Sequence, residues 1–305
     1  MGRVIYVTGA NEKYFSMACG LAQSFKIFCP QERLYICDFG LSSFQREFLA
    51  DQGVLLSMPP QVKDDFHIFA YKASLVHYLE PLEYETVVWI DSDCLLLAPV
   101  KRTIDQLLES SGTKELVAVC ENVADRSIED FLGKYEAKPF EERLLARQNL
   151  RAKPYLNSGF FVVRSKSFLE RWFDLSLSME EHMLFEQNAF NLLAYEEGIE
   201  LILLDNVRWN AHHRYLPELT LHEFAPDTKG FFLGKRQVAV AHATSSRKGD
   251  IDEREFSVKM GENRFDGFLK IIVNPIVREY QELAIKGFLM SNRTQLEEFQ
   301  LLRPD

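Results

Sequence analysis

The 305-residue chain is poor in cysteine, and its five thiols are scattered: Cys19, Cys29, Cys37, Cys94 and Cys120, with no C-x-x-C spacing. An odd, dispersed set excludes a disulfide framework or a zinc–thiolate cluster and points to reduced thiols in a cytoplasmic setting. Basic residues are also in deficit. Thirty-five Lys and Arg against 45 Asp and Glu leave a formal charge of −10. Such an acidic protein repels phosphate backbones, so general nucleic-acid binding is not expected. The longest apolar run, residues 86–100, is too short for a bilayer span and is broken by two carboxylates. The opening segment, Met1–Lys13, lacks the apolar core of a secretory leader and reads directly as a first strand. No internal repeat and no low-complexity linker divides the chain. What is present is 47% hydrophobic and 12% aromatic residues, a composition that packs and does not stay disordered.

Apolar, β-branched runs alternate with helical periodicity through the first half. Val4–Thr8, Arg33–Cys37, Val54–Met58, Thr86–Ile90 and Leu116–Cys120 read as strands. Helices are expected over 14–28, from a Ser42/Ser43 cap to Gln52, over 66–79 and near 103–109. Strands apolar on both faces, in βαβα order, imply an α/β fold with a mainly parallel sheet flanked by helices. Residues 121–153 are charge-rich and read as an excursion from the core. Leu156–Val163 resumes as a strand, followed by helices over 166–177 and 182–196. Further strands are expected at 199–204 and 237–241, then a helical stretch over 266–290. The softest boundary lies near 246–250, giving a main domain, 1–248, and a C-terminal helical extension, 249–305, packed on it.

The most informative segment is Val87-Val88-Trp89-Ile90-Asp91-Ser92-Asp93. Four apolar residues deliver two carboxylates to the carboxyl end of a buried strand, the edge where open α/β sheets bind ligands. Two acids flanking one residue suit a hard divalent cation, Mn²⁺ or Mg²⁺, bound together with substrate phosphates. Taken alone, D-x-D is also an ordinary turn. Two enzyme classes use acids so placed: haloacid-dehalogenase-like phosphatases, with Asp91 as nucleophile and Asp93 as acid, and metal-dependent glycosyltransferases. The phosphatase arrangement puts its acids after the first strand. Here three strands precede Asp91, which favours the second class.

Several blocks in order then resemble the nucleotide-sugar transferase (GT-A) fold and glycosyltransferase family 8. Val7-Thr8-Gly9-Ala10-Asn11-Glu12-Lys13-Tyr14 is similar to the family's opening strand and loop. Tyr71-Lys72-Ala73, Asp91-Ser92-Asp93, Leu156-Asn157-Ser158-Gly159-Phe160-Phe161, Glu186-Gln187 and His242 with Lys248 follow in the family's order. The resemblance spans roughly 4–248. It implies that Thr8, Asn11 and Tyr14 hold the uracil and ribose. Lys72 would meet the diphosphate or the sugar and Lys248 the diphosphate, with Asn157, Ser158, Glu186 and Gln187 at the donor sugar. Asp91, Asp93 and His242 would ligate the metal. Gln187, Asp93 and Lys72 are the catalytic candidates. Each block also has an ordinary structural reading: Asn11 as a helix cap, Lys72 as a snorkelling side chain, His242 as a core histidine. The family's H-F-x-G-x-x-K-P-W departs here to His242-Ala243-Thr244-Ser245-Ser246-Arg247-Lys248-Gly249-Asp250.

The resemblance implies a retaining hexosyltransferase that uses a UDP-sugar, Mn²⁺ or Mg²⁺, and an acceptor that is a glycan, a protein or a small molecule. The excursion at 121–153 and the segment 210–215 are the expected acceptor side. The alternatives are a catalytically silent sugar-nucleotide-binding protein of the same fold and, behind it, the phosphatase. No transmembrane segment is expected, and peripheral association with a membrane surface stays open.

Overall fold

The computed structural model describes the chain except for residues 1, 64–65, 113, 123–125, 133–142, 144–145, 183, 213–214, 226–227, 245–250, 273, 295–302 and 305. The apolar runs form the expected strands β1 (Val4–Ala10), β2 (Leu34–Asp38), β3 (Leu55–Leu56), β4 (Thr86–Ile90), β6 (Leu116–Glu121), β7 (Leu156–Arg164) and β8 (Glu200–Leu204), and a short strand not expected, β5 (Cys94–Leu96), follows β4. Seven of them make one sheet in the order β3-β2-β1-β4-β7-β6-β8. β1 runs parallel to β2, β2 to β3 and β6 to β8, whereas β6 and β7 are antiparallel. The sheet is therefore mixed, within an α/β architecture.

Two compact units are built on these strands. The first comprises Met1–Ile5, Met58–Trp89 and Ile104–Asn206. Its core is aromatic. Phe161 stacks on Trp89 at 6.2 Å and meets Trp172 edge-on at 5.6 Å, while Phe190 closes on Trp172 at 5.3 Å. Rings of this size dominate core burial. Trp172 also donates its indole N–H to the Glu186 carbonyl at 2.8 Å, fixing the start of the helix Phe185–Ala194. The β6–β7 register slips between Val119 and Cys120, whose partners are Phe161 and Asn157. The slip leaves Ser158, Gly159 and Phe160 in a bulge, a device that re-aims side chains near functional sites.

The second unit comprises Tyr6–Ser57, Ile90–Thr103 and Val207–Asp305. Helix Phe15–Phe28 lies against helix Pro275–Ser291, with Phe15, Phe48, Phe265, Leu269, Ile285 and Phe288 in one buried cluster. The capping residue Ser42 forms a reciprocal box with Gln45 at the start of the helix Ser43–Asp51. Past the end of that helix Gly53 takes φ +64°, the left-handed conformation its lack of a Cβ permits.

Several expectations change. The C-terminal extension is not helical throughout: residues 251–272 form an antiparallel hairpin of β13 (Ile251–Met260) and β14 (Asn263–Ile272), and the helix begins only at Pro275. The reason is periodicity. Phe265 and Leu269 are four apart and suit either period, but Arg264, Asp266, Phe268 and Lys270 fall on the opposite face at a period of two. Gly261, at φ +70°, supplies the positive-φ residue of the two-residue turn. The single helix expected over 66–79 is two short ones, Ala70–Ala73 and Leu75–Tyr78, because Ser74 turns its hydroxyl back onto the Ala70 carbonyl at 2.8 Å. The strand expected at 237–241 is split: β9 (Thr220–Ala225), β10 (Thr228–Leu233) and β11 (Arg236–Gln237) make a small antiparallel sheet, and Val240–His242 is a separate β12. All five cysteines are free and buried. Among the described residues no helix is long and apolar enough to cross a membrane.

Candidate metal and donor site

The acids at the end of β4 are placed by a short strand that the sequence reading did not separate. After Asp91 the chain turns, with the Cys94 amide donating to the Asp91 carbonyl at 2.9 Å, and enters β5. β12 pairs antiparallel with β5 and sets His242 opposite Cys94, next to Asp93 in the chain. Two further backbone bonds lock this pairing: His242 N–H to the Ala211 carbonyl and Ala243 N–H to the Asp93 carbonyl, each 2.9 Å. In consequence His242 Nε2 lies 3.2 Å from Asp93 Oδ1 and 3.8 Å from Asp91 Oδ2. The three residues nominated from the sequence as metal ligands thus come together from distant parts of the chain.

His242 is buried, and its second nitrogen is engaged. Nδ1 lies 2.7 Å from Asn210 Oδ1. An amide oxygen only accepts, so Nδ1 is the nitrogen that donates to Asn210 and Nε2 is the one that faces the two carboxylates. That orientation leaves Nε2 as the atom that would ligate a metal, with the other ring nitrogen fixed by Asn210. Cis donors on an octahedral ion with bonds of about 2.1 Å lie about 3 Å apart, close to the 3.2 Å between His242 Nε2 and Asp93 Oδ1 and shorter than the 3.8 Å to Asp91 Oδ2. The oxygen-rich set, with one imidazole, fits Mn²⁺ or Mg²⁺. Cys94 is a further neighbour, since donor atoms of Asp93, Cys94 and His242 all lie within 4.8 Å of one another. A thiol among them would shift preference towards a softer ion.

Asp93 has another partner. Lys270, on β14, places Nζ 2.7 Å from Asp93 Oδ2. Burial raises the Asp93 carboxyl, but the charges and hydrogen bonds of Lys270 and His242 outweigh it and hold the group well below the usual carboxylate range. Burial likewise works against the Lys270 ammonium, yet Asp93 and Tyr14 together lift it above the usual lysine range. The ammonium also lies over the Tyr14 ring, 5.1 Å from its centroid.

The remaining nominated residues of this unit are less committed to chemistry. Asn11 Oδ1 accepts from the Tyr14 amide at 3.0 Å within the turn before the helix Phe15–Phe28; the capping position is Tyr14 itself, so the cap expected of Asn11 is a turn bond instead. Thr8 is fully buried in β1, and its hydroxyl has no hydrogen-bond partner among the described residues. Lys248, with Arg247 and the diverged loop after Thr244, falls outside the described residues.

In the first unit, a second set of nominated residues gathers around Ser158. Its hydroxyl accepts from Lys72 Nζ at 3.1 Å and lies 3.4 Å from both Glu186 carboxylate oxygens. Lys72 and Glu186 form a buried ion pair at 4.0 Å. Gln187 Oε1 accepts from the Ser158 amide at 3.1 Å, and Lys72 Nζ sits 5.6 Å above the Trp89 ring. All four polar residues are buried. Asn157 instead donates to Asn122 at 2.9 Å and accepts from the Gly159 amide at 2.8 Å.

Asn210 and Lys270 are the residues that sequence reading missed. Asn210 follows Trp209 in a segment taken for an acceptor loop, and nothing local marks it. Lys270 was hidden by the helical reading of 266–290. Once β14 is recognised, it falls on the same face as Asp266 and Phe268, opposite Phe265 and Leu269.

No family model and no curated protein matches this sequence. Solved structures do. The galactosyltransferase LgtC, in complex with donor and acceptor sugar analogues, is similar over 96% of this chain and 100% of its own, at 15% identity and a TM-score of 0.57. The glycosyltransferase GlyE of Streptococcus pneumoniae TIGR4 is similar over 99% of this chain at 12% identity and a TM-score of 0.56. The bifunctional glycosyltransferase WbbM, in its apo form, is similar over 81% at 14% identity and a TM-score of 0.55. This chain spans 46% of the WbbM chain and 64% of the GlyE chain. At such identities the likeness is one of architecture, and in architecture the chain is a GT-A fold resembling glycosyltransferase family 8.

Proposed function

We propose that the protein is a glycosyltransferase that moves a hexose from a UDP-sugar to an acceptor with retention of anomeric configuration. The observation that carries this reading is the convergence of Asp91, Asp93 and His242, with His242 Nε2 3.2 Å from Asp93. Asp91, Asp93 and His242 would hold Mn²⁺ or Mg²⁺. When bound, a divalent ion supplies Lewis-acid stabilisation of the charge that develops on a departing diphosphate.

The protein's own residues supply the rest. Asn210 keeps His242 Nε2 turned towards the two acids. Lys72 is the proposed cation at the donor, and its buried partners Ser158 and Glu186 fix where its ammonium stands. Gln187, held through its Oε1 by the Ser158 amide, is the residue that the family resemblance puts at the β face of the sugar. The nominated base and ribose contacts are Thr8, Asn11 and Tyr14, and Lys248 is the nominated second diphosphate lysine.

No carboxylate is proposed as a nucleophile. In front-face transfer the anomeric C–O bond to the diphosphate breaks and the acceptor oxygen bonds to the same face. The acceptor proton goes to the departing phosphate oxygen. The test is a screen of UDP-sugars for hydrolysis and transfer with Mn²⁺, comparing the wild type with Asp93→Asn. Turnover unchanged by the substitution would remove the assignment.

A further inference from the structure

Near the end of β14, Lys270 reaches the candidate metal site. This lysine is held there from both directions. Its side chain is only 13% exposed, and its ammonium lies 2.7 Å from Asp93 Oδ2. Its backbone is clamped by the buried Gln281, which donates to the Lys270 carbonyl at 2.8 Å and accepts from the Ile272 amide at 3.3 Å. Asp93 is thus shared, with Oδ1 facing His242 Nε2 and Oδ2 taken by a fixed positive charge.

We propose that Lys270 is a resident cation of this site that contests Asp93 with the divalent ion and so holds metal affinity down until a nucleoside diphosphate brings compensating negative charge. The inference deepens the metal-dependent reading above and rests on it. An ammonium and a divalent ion on one buried carboxylate repel each other at short range, where little water screens them. A diphosphate relieves that repulsion. Metal and nucleotide should therefore bind cooperatively, and the lysine is a positioning residue that couples them.

The test is direct titration of Mn²⁺, followed by electron paramagnetic resonance, on the full chain with and without UDP. Wild type, Lys270→Met, Lys270→Gln, Lys270→Arg and Asp93→Asn are compared. We expect Lys270→Met and Lys270→Gln to bind Mn²⁺ alone about tenfold or more tightly than wild type, with a smaller gain from UDP. Lys270→Arg, which keeps the charge, should stay near wild type, and Asp93→Asn should lose binding. Tighter binding cannot come from a damaged fold, so a merely structural lysine would not give this result. Wild-type binding with equal or weaker affinity in both neutral variants would overturn the role of Lys270 and leave the metal site standing. No Mn²⁺ binding in any variant, with or without UDP, would overturn the metal reading and this inference with it.

Discussion

Asn210 Oδ1 lies 2.7 Å from His242 Nδ1, and this contact fixes which imidazole nitrogen faces Asp91 and Asp93. Partners that hold a ligating histidine in one tautomer are commonly worth 10- to 100-fold in metal affinity, on the order of 1.4–2.7 kcal/mol. Asn210→Leu should therefore weaken Mn²⁺ binding by roughly that factor, and Asn210→Asp, which keeps an acceptor in place, should not. Unchanged affinity in Asn210→Leu, measured by calorimetry, would remove Asn210 from the site.

The Lys72–Glu186 pair is buried, with side chains 10% and 7% exposed. Removing one member leaves a charge without its partner, which typically costs about 3–5 kcal/mol. Lys72→Met should lose stability of that order in urea unfolding, and the double variant Lys72→Met/Glu186→Gln should recover most of it. Turnover should stay lost in the double variant if Lys72 meets the donor. Restored turnover would make the lysine purely architectural.

Burial holds the thiols of Cys19, Cys37 and Cys120 well above the ordinary value of 9.0, with nearby carboxylates adding to the rise for Cys37 and Cys120. Below that pH both folded and unfolded chains keep these protons, and stability is unaffected. Above it the unfolded chain releases protons that the folded chain retains, so stability falls as pH rises, by up to about 1.4 kcal/mol per thiol per pH unit. Urea unfolding at pH 8 and pH 10 should show this loss, and Cys19→Ala should reduce it. The native protein should also react slowly with a thiol reagent and rapidly once unfolded.

A Cβ at Gly20 would stand 2.8 Å from Ile285 Cγ1, where helix Phe15–Phe28 meets helix Pro275–Ser291. Gly20→Ala should therefore destabilise the protein by about 1–3 kcal/mol despite the better helix propensity of alanine. Ile285→Ala in the same chain should return part of the loss. A stabilised Gly20→Ala, read by thermal unfolding, would contradict this packing.

Legibility tracked how local each signal was. β1, β2, β4, β6 and β7 are apolar runs whose hydrophobicity alone marks them, and Asp91 and Asp93 stand out because β4 delivers them. His242 is legible only through the family resemblance, since its apolar lead-in by itself reads as a core strand. The hairpin was misread because Phe265 and Leu269 satisfy both periods, and with it went Lys270, a contact 177 residues away from Asp93 along the chain. Asn210 was invisible for the same reason: its meaning comes only from the pairing of β12 with β5, which no local pattern encodes.

The most direct measurement is calorimetry of UDP with and without Mn²⁺ on wild type and Asp93→Asn. The account predicts UDP binding that strengthens markedly with Mn²⁺ in wild type and gains nothing from the ion in Asp93→Asn. UDP binding indifferent to Mn²⁺ in both, or no UDP binding at all, would contradict it.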